Sequence, residues 1–296
     1  MSNIFTVAFL AQLLRIAVPY TCAAMGGVTS ERSGTVDLAL EGKLLMGAFG
    51  AAVFGISSGS AVIGVLGGVF VGALVGLLHA TIAVRLKADG VVTGVAINLL
   101  AVGLTRLLLR LLYDSSSNSP KLPSLVGDPS GSGGGAALLH VLTHPLFLAT
   151  IAAVALVHVT LSRTRFGLRL RSVGEHPEAA ESLGVRPVRV RTIAVVLSGA
   201  IAGLGGAWLA FDQRQFTHEM SAGRGFIALA AVIVGGWRPL PAALGCLAFG
   251  LLEALQIALQ GVAQLPSQLV SALPFVVTII AVAGLVGRSR APAALK

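Results

Sequence analysis

The sequence predicts an all-α protein, a polytopic transmembrane helical bundle with about 8–10 spans or half-spans and a weak internal repeat. Three observations lead there. The 296 residues are 55% hydrophobic and only 11% charged, with a mean hydropathy of +0.89, whereas a soluble domain carries about 25% charged residues. So few charges cannot cover a water-facing surface of this size, so lipid is the solvent. In lipid, backbone polar groups must be satisfied internally, which leaves helices or a closed barrel. A barrel would show alternating segments of roughly ten residues, and the apolar runs here are longer and continuous.

A span needs about 20 apolar residues. In chain order, the runs that qualify are 4–25, 36–56, 61–84, 91–112, 145–161, 193–211, 240–259 and 269–286. The run 226–237 is too short to cross alone and reads as a half-helix or re-entrant element, which is tolerated where protein or a water-filled cavity covers it. The first residues lack a basic n-region and an A-x-A site, so 4–25 reads as a retained helix and not a signal peptide. The segment 36–56 has Asp37, Glu41 and Lys43 near its start, so its first turns should avoid lipid. Within 61–84, Gly64, Gly68, Gly72 and Gly76 repeat every four residues and clear one face for a neighbouring helix. All these segments are expected to form one transmembrane domain over 1–296, with a Ser/Gly/Pro-rich external loop at about 113–144 and a basic loop at about 163–191. The repeat pairs LALEGKLLMGAFGAAVFG and GGVFVGALVGLLHA with GRGFIALAAVIVGG and PAALGCLAFGLLEALQ.

The net charge of +9 would suggest nucleic acid in a soluble chain. In this one it reads as the Lys/Arg excess of cytoplasmic loops, so lipid is an expected partner and nucleic acid is not. The 163–191 loop has seven arginines (163, 165, 169, 171, 186, 189 and 191) against three glutamates, Glu175, Glu178 and Glu181, and is expected to be cytoplasmic. Arg288, Arg290 and Lys296 put the C-terminus on the same side. The side of the N-terminus stays open.

Several chemistries are missing from the motifs. No G-x-x-x-x-G-K-[ST] loop occurs, so ATP is not hydrolysed on this chain by a P-loop mechanism. H-E-x-x-H, C-x-x-C and G-x-S-x-G are also absent, and no catalytic residue is assigned. His140 and His144 are spaced as a metal pair but lack a third ligand, and Cys22 and Cys246 lie in apolar runs, so no metal site or disulfide is expected.

Two features invite a function. In Arg171–Val185, Pro177 suits a first helical turn, Glu178 and Glu181 suit its positive end, and Gly184 suits the left-handed position after it. Ala179, Ala180 and Leu183 give the short helix a small apolar face. So short a helix must dock, either on its own spans or in a partner's groove. The second feature is polar groups inside spans, which should face a cavity or a partner. Glu253, Gln256 and Gln260 share a face, Asn98 sits mid-segment near Thr93 and Thr105, and Asp37 and Glu41 share a face at i, i+4. Either they bond between helices or they line a path for a polar solute.

With these residues in view, the loop Gly174–Gly184, with Gly174, Ala179, Ala180 and Gly184 in a G-x-x-x-x-A-A-x-x-x-G pattern, resembles the coupling segment of ABC-importer permeases of the branched-chain amino acid and ribose type. ERSGTVDLALEGKLLMGA, VVTGVAINLLAVGL, GRGFIALAAVIVGGWRPL and the ending GLVGRSRAPAAL are similar to its nucleoside and simple-sugar subgroup. Where that subgroup has Asn in a GVVNIGLEG-like motif, this chain has Asp37, which adds a charge.

The resemblance implies a type II importer permease in a bacterial plasma (inner) membrane. It would work with ABC ATPase subunits that hold the ATP and Mg, with a second permease chain, different or identical, and with an extracytoplasmic substrate-binding lipoprotein or periplasmic protein. It implies an ATPase-coupling surface made of Gly174, Glu175, Pro177, Glu178, Ala179, Ala180, Leu183 and Gly184. A nucleoside or simple-sugar path would draw on Asp37, Glu41, Asn98, Phe226, Glu253 and Gln256. The competing expectation is a secondary transporter of a small polar solute that uses Asp37, Glu41 or Glu253 as an ion site.

Overall fold

The structure, a computed structural model, describes residues 6–127, 133–260, 276 and 291–295. Its helices are α1 (Val7–Glu31), α2 (Leu40–Ser58), α3 (Ala61–His79, continued by a π turn, Ala80–Arg85), α4 (Gly90–Tyr113), α5 (Gly134–Thr143), α6 (Pro145–Arg163), α7 (Arg165–Glu175), α8 (Pro177–Ser182), α9 (Pro187–Asp212), α10 (Arg224–Val234) and α11 (Pro239–Gln260). Among the described residues, seven helices are long and apolar enough to cross a membrane: α1, α2, α3 with its π turn, α4, α6, α9 and α11. The expected span 269–286, apart from Val276, lies outside the described residues, as do Arg288, Arg290 and Lys296.

The helix boundaries depart from expectation where packing overrides composition. α1 continues through Gly26 and Gly27 to Glu31, because these glycines let it press onto the Ser198 carbonyl of α9 and the Leu40 side chain of α2. α2 begins at Leu40, so Asp37 precedes the helix and does not share a helical face with Glu41. α9 begins at Pro187 in its first turn, which draws Arg189 and Arg191 into the span. Helix α5 occupies part of the expected external loop. The basic loop contains α7 as well as α8, and the two are split at His176, whose backbone (φ −141°, ψ 85°) lies outside the helical region that a residue before proline avoids.

α1 and α9 run antiparallel through the centre. Arg15 near the start of α1 pairs with Asp212 at the end of α9 at 2.7 Å, and at the other end Arg191 Nε donates to the Ser33 carbonyl at 3.1 Å. α1 packs on α10 and α11, α9 packs on α2 and α3, and α2–α3 and α10–α11 are each adjacent pairs. The repeated sequence blocks thus fall on two units that exchange partners about the antiparallel pair, the arrangement of an inverted repeat. One end of the bundle holds α7, α8 and the 291–295 turn, where the Ala293 N–H donates to Glu175 at 3.3 Å. The start of α1 lies at the opposite end against α5, where a Cβ on Gly134 would stand 2.8 Å from the Ala8 nitrogen.

The glycine stripe of α3 lies directly against α9. A Cβ on Gly72 would be 2.3 Å from the Gly199 carbonyl oxygen, one on Gly76 2.6 Å from that of Val195, and one on Gly68 2.9 Å from that of Gly47 on α2. Gly64 instead meets the Phe211 ring at 2.7 Å. In lipid there is little hydrophobic drive between helices, so backbone approach of this kind supplies the van der Waals contact that holds them.

Candidate functional site

The most deeply buried polar cluster sits where the 32–39 segment meets α9. The Asp37 carboxylate accepts from Lys43 Nζ at 2.7 and 2.5 Å and from Ser198 Oγ at 2.6 Å. His79 Nδ1 lies 3.4 Å from Asp37 Oδ1. All four side chains are fully buried, so the Asp37 charge is met by chemistry of this chain. A fully desolvated ion pair survives only when its remaining lone pairs are filled, which Ser198 helps to do. Sequence reasoning had noted Lys43 and missed His79 and Ser198. His79, a lone imidazole in an apolar run, carried a signal; Ser198 did not.

Asn98 ties α4 to the start of α2. Its Oδ1 accepts the Gly42 N–H at 2.7 Å and its Nδ2 donates to the Leu38 carbonyl at 2.8 Å. Gly42 lies in the first turn of α2, where backbone N–H groups have no intrahelical acceptor, and Asn98 supplies one. Glu41 does the same for the half-helix α10, accepting the N–H groups of Gly223 at 2.8 Å and Gly225 at 2.7 Å. A carboxylate at a helix N-terminus is stabilised by the hydrogen bonds and by the macrodipole. Glu41→Gln is expected to lower stability by about 1–2 kcal/mol, read as an earlier thermal transition in detergent with little change in oligomeric profile.

At the far end of α10, Trp237 Nε1 donates to Glu31 at 2.6 Å and Arg32 Nε donates to the Trp237 carbonyl at 2.7 Å. Each end of α10 is therefore bonded to the 31–41 region. These bonds explain how an 11-residue apolar helix persists within the bundle.

Glu253 and Phe226 face a different environment. Glu253 pairs with Arg224 at 3.2 Å and accepts from the Tyr20 hydroxyl. Arg224 and Glu253 open onto a cavity of about 340 Å³ that also has Arg15, Gln12, Asp212 and Gln213 in its wall. Phe226 is 49% exposed in the first turn of α10, while Gln256 is half-buried one turn beyond Glu253. The structure thus separates the six expected path residues. Asp37, Glu41 and Asn98 spend their polar atoms on this chain's own backbone and side chains, and Glu253 borders open polar space. Arg15, Asp212 and Arg224 were missed; a lone Arg15 inside the first apolar run was the signal that a partner charge was needed. His140 and His144 have ring centroids 5.9 Å apart, and no cluster of three or more His, Cys, Asp or Glu able to hold a metal occurs among the described residues.

The short helix α8 is sharply bounded at both ends. Pro177 occupies its first turn, and Gly184 (φ +81°) follows its end. The Gly184 N–H bonds the Glu181 carbonyl at 2.9 Å and the Val185 N–H bonds that of Ala180 at 3.0 Å, the Schellman pairing that satisfies last-turn carbonyls. Ala180 is buried, as is Gly174 at the end of α7, where a Cβ would stand 2.1 Å from the Arg32 carbonyl oxygen. Glu175, Glu178, Ala179 and Gly184 are exposed, Pro177 is half-buried, and Leu183 is 84% exposed. Of the two docking modes open to so short a helix, the structure shows the one onto its own chain: Ala180 is buried there, and Leu183 faces away. Gly184→Val is expected to disorder α8, since a β-branched residue cannot take the left-handed backbone; faster proteolysis between α8 and α9, with the bundle intact, would register it.

Spans paired about an antiparallel axis and a cavity with charged groups beside a half-helix define a polytopic helical membrane protein with a polar interior site. The chain matches the branched-chain amino acid transport system / permease component family over residues 9–282, and it belongs to that family. It is 37% identical to the guanosine ABC transporter permease protein NupQ of Bacillus subtilis, across 96% of both chains. It is 38% identical to the nucleoside ABC transporter permease protein NupC of Lactococcus lactis, across 96% of this chain and 94% of that one. A putative glucose ABC transporter permease protein of Haloferax volcanii is 32% identical over 86% of this chain. The chain is accordingly the multi-pass permease subunit of an ABC transporter, a transport component without an enzymatic activity of its own.

Proposed function

We propose that the substrate is a nucleoside, imported across a bacterial plasma membrane at the expense of ATP hydrolysed on partner chains. The observation that carries this reading is near full-length similarity to permeases named for guanosine and for nucleosides. The cavity beside Arg224 and Glu253 supports it, because paired donors and acceptors suit ribose hydroxyls and base edges, and Phe226 offers an aromatic face. In this reading Glu253, Phe226 and Gln256 border the path, while Asp37, Glu41 and Asn98 hold the helices that form it. A second permease chain completes the path, and an extracytoplasmic binding protein delivers the substrate. α8 docks on the ATPase, so α7, α8 and the C-terminus are cytoplasmic, in keeping with the arginine excess there. ATP and Mg are bound by the ATPase and not by this chain.

Uptake of labelled guanosine into cells that carry the complete transporter tests the substrate class. Other nucleosides are expected to compete, while ribose, glucose and free guanine leave uptake unchanged. Equal competition by glucose or ribose would transfer the assignment to a sugar. Glu253→Gln is expected to reduce uptake about tenfold, with the amount of permease in the membrane unchanged on immunoblots.

A further inference from the structure

The arginine-rich end contains a second cavity that the transport reading does not use. It has a volume of about 470 Å³ and lies between the end of α6 and the start of α11, lined by Arg32, Arg171, Arg238, Trp237, Leu161 and Leu240 among others. Among the described residues no carboxylate lies within ion-pair distance of these three arginines. Arg171 Nε is buried without a hydrogen-bond partner, and Arg32 spends only its Nε, on the Trp237 carbonyl. Burial holds the Arg32 guanidinium below its ordinary pKa; Glu175 acts against that shift, and Arg171 and Arg238 add to it. Half-buried Arg32 and Arg171 and exposed Arg238 thus surround one partly apolar space without a directly paired carboxylate among the described residues, and an anion there would offset their repulsion and satisfy the buried donor.

We propose that this cavity binds the phosphate of an anionic phospholipid through Arg32, Arg171 and Arg238. Guanidinium groups match phosphate oxygens bidentately, which a lone ammonium cannot do. The lipid source follows from the walls. Leu240, in the cavity wall at the start of α11, is 48% exposed, and one turn on along α11 Leu244 is 66% exposed, so the cavity borders an outward apolar surface suited to acyl chains. Basic pockets between helices on the cytoplasmic side are suited to anionic headgroups of that leaflet. The position gives the lipid leverage. Arg32 bonds the end of α10 and its carbonyl touches Gly174, so an occupied cavity braces the joint between α8 and the central helices.

The test uses the full chain, purified and exposed to mixed vesicles of phosphatidylglycerol and phosphatidylcholine, with retained lipid counted by native mass spectrometry. The wild-type chain is expected to keep phosphatidylglycerol in preference to phosphatidylcholine. Arg171→Gln/Arg238→Gln is expected to weaken that retention about tenfold or more, while Arg110→Gln, on the exposed face of α4 at the other end, leaves it unchanged. Millimolar inorganic phosphate and glycerol 3-phosphate are expected not to displace the lipid. The proposal is overturned if phosphatidylcholine is kept equally well, if the double variant retains phosphatidylglycerol like the wild type, or if inorganic phosphate displaces it. Should the double variant fail to fold, a photoactivatable phosphatidylglycerol on the wild-type chain replaces it. Labels at the end of α6 and the start of α11 support the site, and labels confined elsewhere overturn it.

Discussion

Lys43→Met is expected to remove about 3–5 kcal/mol of stability, the largest effect of any single side-chain change considered. The reason is the group left behind. Asp37 would keep its charge in a fully buried position with only Ser198 Oγ donating at 2.6 Å, His79 Nδ1 lying 3.4 Å away without a hydrogen bond. The Asp37→Asn/Lys43→Met double variant removes both charges and is expected to recover much of the loss, because the cost lies in an unpaired charge and not in the absence of the pair. Thermal unfolding in detergent, with the monodisperse fraction after solubilisation, reads both. A single variant as stable as the wild type would mean that water reaches Asp37.

Gly72→Leu is expected to be comparably damaging for a different reason. A Cβ there stands 2.3 Å from the Gly199 carbonyl oxygen, and the reciprocal Cβ on Gly199 stands 2.2 Å from that of Gly72. Neither obstacle is a side chain that can rotate away, so α3 and α9 must part along the whole stripe. Overpacking of this kind costs about 1–3 kcal/mol when the surroundings can yield, and backbone on both sides makes this the upper end or beyond. Gly103→Leu on α4 is the control, since nothing lies within 4 Å of its Cβ position and a better helix former replaces glycine. Expression and thermal stability should fall for Gly72→Leu and hold for Gly103→Leu.

The sequence showed most of the fold because hydropathy and helix length are set by the bilayer. The half-helix was legible in the shortness of 226–237, and the C-terminal stop of α8 in Gly184. What stayed hidden depends on partners far apart in the chain. The continuation of α1 through Gly26 and Gly27 is poor helix sequence rescued by α9 packing. Glu41 looked like a group for solute, and its role is visible only once α10 begins 2.7–2.8 Å away. Asp37 and Asn98 were drawn to attention by the cost of burying polar groups, and that cost is met internally by Lys43, Ser198 and the start of α2. The same rule applied to Arg15 would have predicted its pairing with Asp212. Polar residues inside spans therefore mark places where something must be satisfied, and geometry decides whether that something is the chain or its cargo.

The division of labour between this chain and an ATPase is tested most directly in vesicles that contain the permease chains, with or without the ATPase, the binding protein being added outside. Labelled guanosine is expected to accumulate only with ATPase present and ATP inside. Leu183→Asp, at a position 84% exposed on the projecting helix, is expected to abolish that accumulation while thermal stability stays unchanged. Accumulation driven by an ion gradient without the ATPase, or undiminished in Leu183→Asp, would contradict coupling through α8.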